Sequence, residues 1–252
     1  MLVTMHTPTP LPPTLPDTWA TRLNRWLLPA WCKGVLWWLC ALPALHWGWL
    51  YQQGTLEVAA LVRDSGLWAT HLLLATLSIT PLRHAAGLHS LLRWRRSLGL
   101  AAFAYALLHL LAYAGLDRFW LWSEIRHDFA TSPMPALGLA AGVLMLPLAL
   151  TASNWAVRWL QGPLWNKLHQ LVYAVALLAV LHEIWAGWAA QRYGWMLLHA
   201  AWLAVVLGWR LHAKAHTPPP PATGLWQGQG VADNWCSSRA SGKSRNGGCG
   251  CH

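Results

Sequence analysis

Residues 97–116 read Ser97-Leu98-Gly99-Leu100-Ala101-Ala102-Phe103-Ala104-Tyr105-Ala106-Leu107-Leu108-His109-Leu110-Leu111-Ala112-Tyr113-Ala114-Gly115-Leu116. No side chain here carries a formal charge at neutral pH, and a single histidine interrupts the apolar run. A stretch of this length, at about 1.5 Å per residue, makes a helix of about 30 Å, the thickness of the hydrocarbon core of a bilayer. The composition of the whole chain agrees with that reading. Of 252 residues 56% are hydrophobic and only 10% charged, with a mean hydropathy of +0.31. Soluble domains carry about a quarter charged residues, so a water-soluble globular enzyme is excluded. Disorder is excluded for most of the length on the same grounds.

Five further apolar runs accompany it, at 33–51, 67–83, 135–152, 168–188 and 193–212. The expected fold is therefore an all-α integral membrane protein, a six-helix transmembrane bundle over residues 33–212. Residues 1–32 are expected to form an N-terminal segment. Its opening, Met1 to Pro16, is rich in Pro and Thr and lacks the apolar core of a cleavable signal peptide. Residues 213–252 are expected to be a disordered tail, because Pro218–Pro221 give way to a Gly/Ser-rich stretch ending Cys249-Gly250-Cys251-His252. Cys32 and Cys40 lie in or beside the first run, and no cysteine spacing matches a structural zinc site. Pro81 is expected to close the second run, Pro133 and Pro135 to open the fourth, and Gly162-Pro163 to precede the fifth.

The net charge of +10 reports topology before it reports a partner, and no nucleic-acid partner is expected. With the N-terminus inside, fourteen of the eighteen Lys and Arg residues fall on the cytoplasmic side. Only Arg63, Arg118, Arg126 and Arg192 fall outside. Both termini are thus expected to be cytoplasmic.

Thirteen histidines in so apolar a chain need a reason, because polar groups in hydrocarbon are costly. His109 lies about 18 Å into the third run and His182 about 21 Å into the fifth, which runs in the same direction. Two imidazoles at one depth on facing helices can sandwich a haem iron. His169 precedes His182 by about 20 Å along the helix and projects about 140° away from it. It belongs near the inner face. His46, His71 and His199 lack supporting context and are read as interhelical hydrogen-bonding groups. His84, His89 and His127 fall in expected loops and are read as solvated.

At these residues the sequence resembles a known family. Thr80-Pro81-Leu82-Arg83, Arg95-Arg96-Ser97-Leu98-Gly99-Leu100 running on to His109, Leu148-Ala149-Leu150-Thr151 and Leu168-His169-Gln170-Leu171-Val172-Tyr173 are similar to motifs of the MsrQ (YedZ) family. The resemblance covers about residues 33–212. It implies a ferric-reductase-like bundle in the bacterial inner membrane, carrying haem b with FMN associated. It further implies electrons drawn from the quinone pool and passed to a periplasmic molybdopterin-containing methionine-sulfoxide reductase, the catalytic subunit of a heterodimer. His109, His169 and His182 match the family's three motif histidines, His109 and His182 as axial ligands and His169 as a ligand of a second haem. Related oxidases carry a second histidine pair; here the positions 13 and 14 before His109 are Arg96 and Arg95, so no partner for His169 is identified.

The expected activity is electron transfer, with the catalytic site on the partner. A stand-alone ferric reductase would use the same helices but needs a flavin and nicotinamide domain, for which the residues after 216 offer no sequence. A proton or metal channel would need acidic residues within the runs, and only Glu183 lies inside one.

Overall fold

The computed structural model describes residues 19–27 and 30–216. The elements are α1 (Trp19–Leu27), α2 (Ala30–Gln52), α3 (Val58–Ala86), α4 (Leu92–Leu111), α5 (Trp122–Thr131), α6 (Met134–Leu150), α7 (Asn154–Trp159), α8 (Gln161–His169), α9 (Leu171–Ala189) and α10 (Tyr193–His216). A 3-10 turn, His89–Leu91, leads into α4, and a π-helical turn, Ala112–Asp117, continues it. Among the described residues there is no strand. The chain is all-α. Of the expected segments 1–32 and 213–252, residues 1–18 and 217–252 lie outside the described residues; the described part of the first forms α1 and the start of α2, and residues 213–216, expected in the disordered tail, continue α10 as helix.

Each of the six apolar runs falls on a long helix, α2, α3, α4, α6, α9 or α10. By length and hydropathy alone, three described helices suffice to cross a membrane, or five if each sharply bent helix pair counts as one span. One such pair is α5 and α6, bent by 106°. The helix that falls short is α3, and its surroundings explain why. It is packed by protein on most of its faces and buries nine residues, among them Ser65, Thr70 and Thr76. Thr70 and Thr76 satisfy their hydroxyls on the carbonyls of Gly66 and Leu72, four residues back. A helix enclosed by other helices can carry hydroxyls that lipid would penalise.

One sequence expectation about helix ends needs correction. Pro81 does not close α3, which continues to Ala86 and ends at Gly87 with φ of 67°. Proline removes the N–H that would have bonded the carbonyl of Leu77. That carbonyl instead accepts from the Arg210 guanidinium of α10 at 3.3 Å, so the lost bond is replaced across helices. Gly162-Pro163 precedes the fifth run as expected: from Pro163 the chain runs to Ala189 as one membrane-length span of 27 residues, α8 passing into α9 at Gln170. Pro133 likewise caps α6 as expected.

The bundle is organised around two antiparallel helix pairs, α3 with α4 and α6 with α9. The register of the first pair can be read from two contacts: Gly66 lies against His109 and Gly99 against Thr76. In the second, Gly138 lies against His182, and the Trp165 indole N–H donates to the Thr151 carbonyl at 3.0 Å. Leu74, Leu77, Ala102, Val175 and Ala176 are completely buried where the pairs meet. The helix α2 presents only one stripe inward, Cys32, Leu36 and Cys40 at four-residue spacing, with Trp47 further along. Its remaining apolar residues, including Trp37, Trp38 and Trp49, are exposed. Such a surface is stable only in lipid. At the far end of α4, the Tyr113 hydroxyl donates to Asp128 at 2.6 Å and Arg118 Nε donates to the same oxygen at 2.7 Å. This ties the π-turn to α5.

The compact unit described above runs to Arg210. Beyond it, the His212 and His216 rings lie 4.1 Å apart.

Candidate haem site

His109 projects from α4 and His182 from α9, and the structure brings their rings together with centroids 5.9 Å apart and planes at 81°. Each imidazole is held the same way. His109 Nδ1–H donates to the carbonyl of Val62 on α3 at 2.7 Å, and His182 Nδ1–H donates to the carbonyl of Met134 on α6 at 2.7 Å. A carbonyl can only accept, so the proton sits on Nδ1 and Nε2 keeps its lone pair. A second-sphere bond from the other ring nitrogen is how metal-binding histidines are usually oriented.

The two carbonyls share a sequence context. Each lies four residues before a glycine, Val62 before Gly66 and Met134 before Gly138. In a helix that glycine is the residue next to the carbonyl on the same face. A Cβ on Gly66 would stand 3.0 Å from His109 Nδ1, and one on Gly138 would stand 2.9 Å from His182 Nδ1 and Cε1. Any side chain there would push the ring off its carbonyl. Each helix pair thus carries one notch, a glycine beside a carbonyl, and one imidazole seated in it. Sequence reading found the histidines but missed both glycines.

The donor set suits a haem. A metal bridging two imidazoles at bonds of about 2 Å sets the ring centroids roughly 6 Å apart, which agrees with the spacing seen. Among the described residues no cluster of three or more His, Cys, Asp or Glu could hold a metal ion. A structural zinc site takes four protein ligands, whereas a haem asks the protein for two axial ones. Both rings are only partly buried.

His169 is not brought to this pair. Its ring stacks on Trp165 with centroids 3.8 Å apart, and its Nδ1–H donates to the Trp165 carbonyl at 3.2 Å. Arg95 and Arg96 stand within electrostatic reach of it. Arg96 itself donates to Asn154 Oδ1 at 2.6 Å. His199 of α10 bonds Glu183 of α9, the interhelical contact expected of it. His84, His89 and His127 are exposed as expected, but His84 and His127 ride helices α3 and α5 and not loops. His46 is exposed and stacks on Trp49 of its own helix, so it is not the interhelical group expected. His71 departs, since it donates within its own helix to the Leu67 carbonyl at 2.6 Å.

Each helix pair thus offers one imidazole in a fixed tautomer, and similarity to known proteins names the class of membrane bundle to which this arrangement belongs. A family described as "Ferric reductase like transmembrane component" matches residues 65–180. That stretch takes in Gly66, His109, Gly138 and His169 and stops just before His182. Among curated proteins, the haem-binding subunit MsrQ of the protein-methionine-sulfoxide reductase of Azospira oryzae is 45% identical over 184 residues, 71% of this chain and 78% of that protein. The subunit of the same name from Polaromonas naphthalenivorans is 35% identical over 77% of this chain and 90% of its own. That from Xanthomonas axonopodis pv. citri is 40% identical over 72% and 89%. The chain belongs to the MsrQ family. No solved structure matches it.

Proposed function

We propose that this chain is the haem b subunit of a methionine-sulfoxide reductase system, passing electrons across the bacterial inner membrane to a separate catalytic subunit. The observation that carries the reading is the His109–His182 pair, whose rings lie 5.9 Å apart with both Nδ1 protons committed to backbone carbonyls. Its relatives are named as haem-binding subunits of the same reductase system. His109 and His182 would hold the haem iron, each through the ring nitrogen left free by its backbone hydrogen bond. When bound, the haem supplies a one-electron carrier in a site from which apolar helices exclude water. The protein's own work is to fix both tautomers, through Val62 and Met134, and to keep the ring edges aligned.

The wider circuit follows the family. Quinol supplies the electrons, FMN is associated, and a periplasmic molybdopterin-containing reductase takes the electrons in a heterodimer and repairs oxidised proteins. His169, beside Arg95 and Arg96, belongs to the entry side of that path, near the cytoplasmic face, as a ligand of a second haem or part of a flavin site. The domain plan keeps residues 33–212 as a six-span bundle, with 1–32 and 213–252 cytoplasmic.

Two experiments test this. Purified chain in lipid nanodiscs, supplied with quinol and a molybdopterin-containing partner reductase, should pass electrons to methionine sulfoxide. Haem that is reduced by quinol yet is never reoxidised by the partner would overturn the proposed acceptor. For topology, reporter fusions after Trp188 and after Lys214 should give opposite signals, outside and inside. Identical signals would refute the six-span arrangement.

A further inference from the structure

A second histidine pair lies away from the first, between α3 and α10. His199 is completely buried, and its Nδ1–H donates to both carboxylate oxygens of Glu183 at 2.7 Å. Its Nε2 is buried without any hydrogen-bond partner. The His71 ring stands edge-on to it, with centroids 4.5 Å apart and planes at 87°. His71 has also committed its Nδ1–H, to the carbonyl of Leu67. With its proton on Nδ1, His71 presents Nε2 as an acceptor, while His199 Nε2 has no partner among the described residues. A buried polar atom left unpaired costs stability and calls for an explanation.

The neighbourhood is open to lipid and shaped for a ring. Trp68 and Trp195, 39% and 53% exposed, have their rings 5.7 and 5.0 Å from that of His71. Trp68 also lines a groove of about 420 Å³ together with Leu36, Leu39, Pro43, Leu72 and Leu98. That groove presents almost only hydrocarbon. An apolar groove that shares Trp68 with an aromatic bracket, with two imidazoles behind it, fits a ligand with a long apolar tail and a flat ring bearing hydroxyls.

We infer that His71 and His199 bind the ring hydroxyl of a quinol whose isoprenoid tail lies in the groove along α2 and α3. The inference rests on the quinol donor proposed above and names where that donor sits. Glu183, which orients His199, is the residue next to His182 in the chain.

The test uses purified holoprotein in lipid nanodiscs, titrated with a short-chain benzoquinol while haem reduction is followed optically. Quinone that co-purifies with the protein is extracted and quantified alongside. His71→Leu and His199→Leu are each expected to raise the half-saturating quinol concentration about tenfold, the loss of one good hydrogen bond. Both should deplete co-purifying quinone and leave the dithionite-reduced haem spectrum unchanged. Should His199→Leu fail to hold haem because a buried site has been emptied, the partly exposed His71 decides through its own variant. Wild-type haem that quinol reduces, with His71→Leu indistinguishable from wild type, would overturn this site and leave the donor standing. Wild-type haem that quinol does not reduce would overturn the donor, and this site with it.

Discussion

His182→Ala and His109→Ala are each expected to abolish the six-coordinate haem and with it electron delivery to the partner. Each substitution removes one of the two imidazoles that face each other at 5.9 Å. Nothing nearby replaces it, since the described residues offer no third metal-binding side chain there. The iron becomes five-coordinate or the haem is lost. The size of the effect separates this role from a structural one. An interhelical hydrogen bond in a membrane contributes about 0.6 kcal/mol, a factor of roughly three, and its loss would leave most of the haem in place. Haem content and low-spin absorption, measured in the purified variants, read the difference directly. His169→Ala is the internal comparison. Its ring packs on Trp165 rather than on the pair, so the low-spin species should persist while electron entry slows.

Gly138→Ala is expected to do nearly as much damage with a single methyl group. The new Cβ would stand 2.9 Å from two atoms of the His182 ring, inside the contact distance of any real side chain. Either α6 moves away or the ring leaves the Met134 carbonyl. Overpacking of this kind costs about 1–3 kcal/mol, which lowers haem occupancy roughly five- to 150-fold if the strain is relieved by displacing the ring. Gly66→Ala acts on His109 in the same way from 3.0 Å and should be slightly milder. The control is Gly142→Ala, one turn further along α6, where a Cβ meets nothing within 4 Å. Helix propensity there favours alanine, so haem content should hold. Equal loss in Gly142→Ala and Gly138→Ala would show that general helix disturbance, and not the notch, is responsible.

Much of this architecture is legible in the amino-acid sequence. The run 97–116 reveals a helix of bilayer length because nothing in it is charged, and His109 stands out because it is the one strongly polar group inside. The coincidence of depth with His182 follows from counting residues along two helices that run in the same direction. The glycine notches cannot be found that way. The chain has 20 glycines, and a glycine within an apolar helix looks the same in sequence whether it faces open space, as Gly142 does, or a ring, as at Gly138. Pro81 misleads for a related reason. The group that rescues the Leu77 carbonyl is Arg210, far along the chain, and local rules for proline contain no such partner. Hydropathy alone does not count α3 as a span, because burial by protein relaxes the demand for apolar residues. The orphaned His199 nitrogen is likewise invisible in sequence, which does not say that α10 turns that ring inward between α3 and α9.

The central claim is that His109 and His182 hold one haem b between them. It is tested most directly by the low-temperature EPR spectrum of the oxidised, purified wild-type chain, recorded beside His109→Ala and His182→Ala at matched haem loading. Two imidazoles facing each other with ring centroids 5.9 Å apart predict a six-coordinate low-spin ferric signal in the wild type. That signal should vanish in both variants, with high-spin haem or none in its place. The same low-spin signal persisting unchanged in both variants would contradict the assignment.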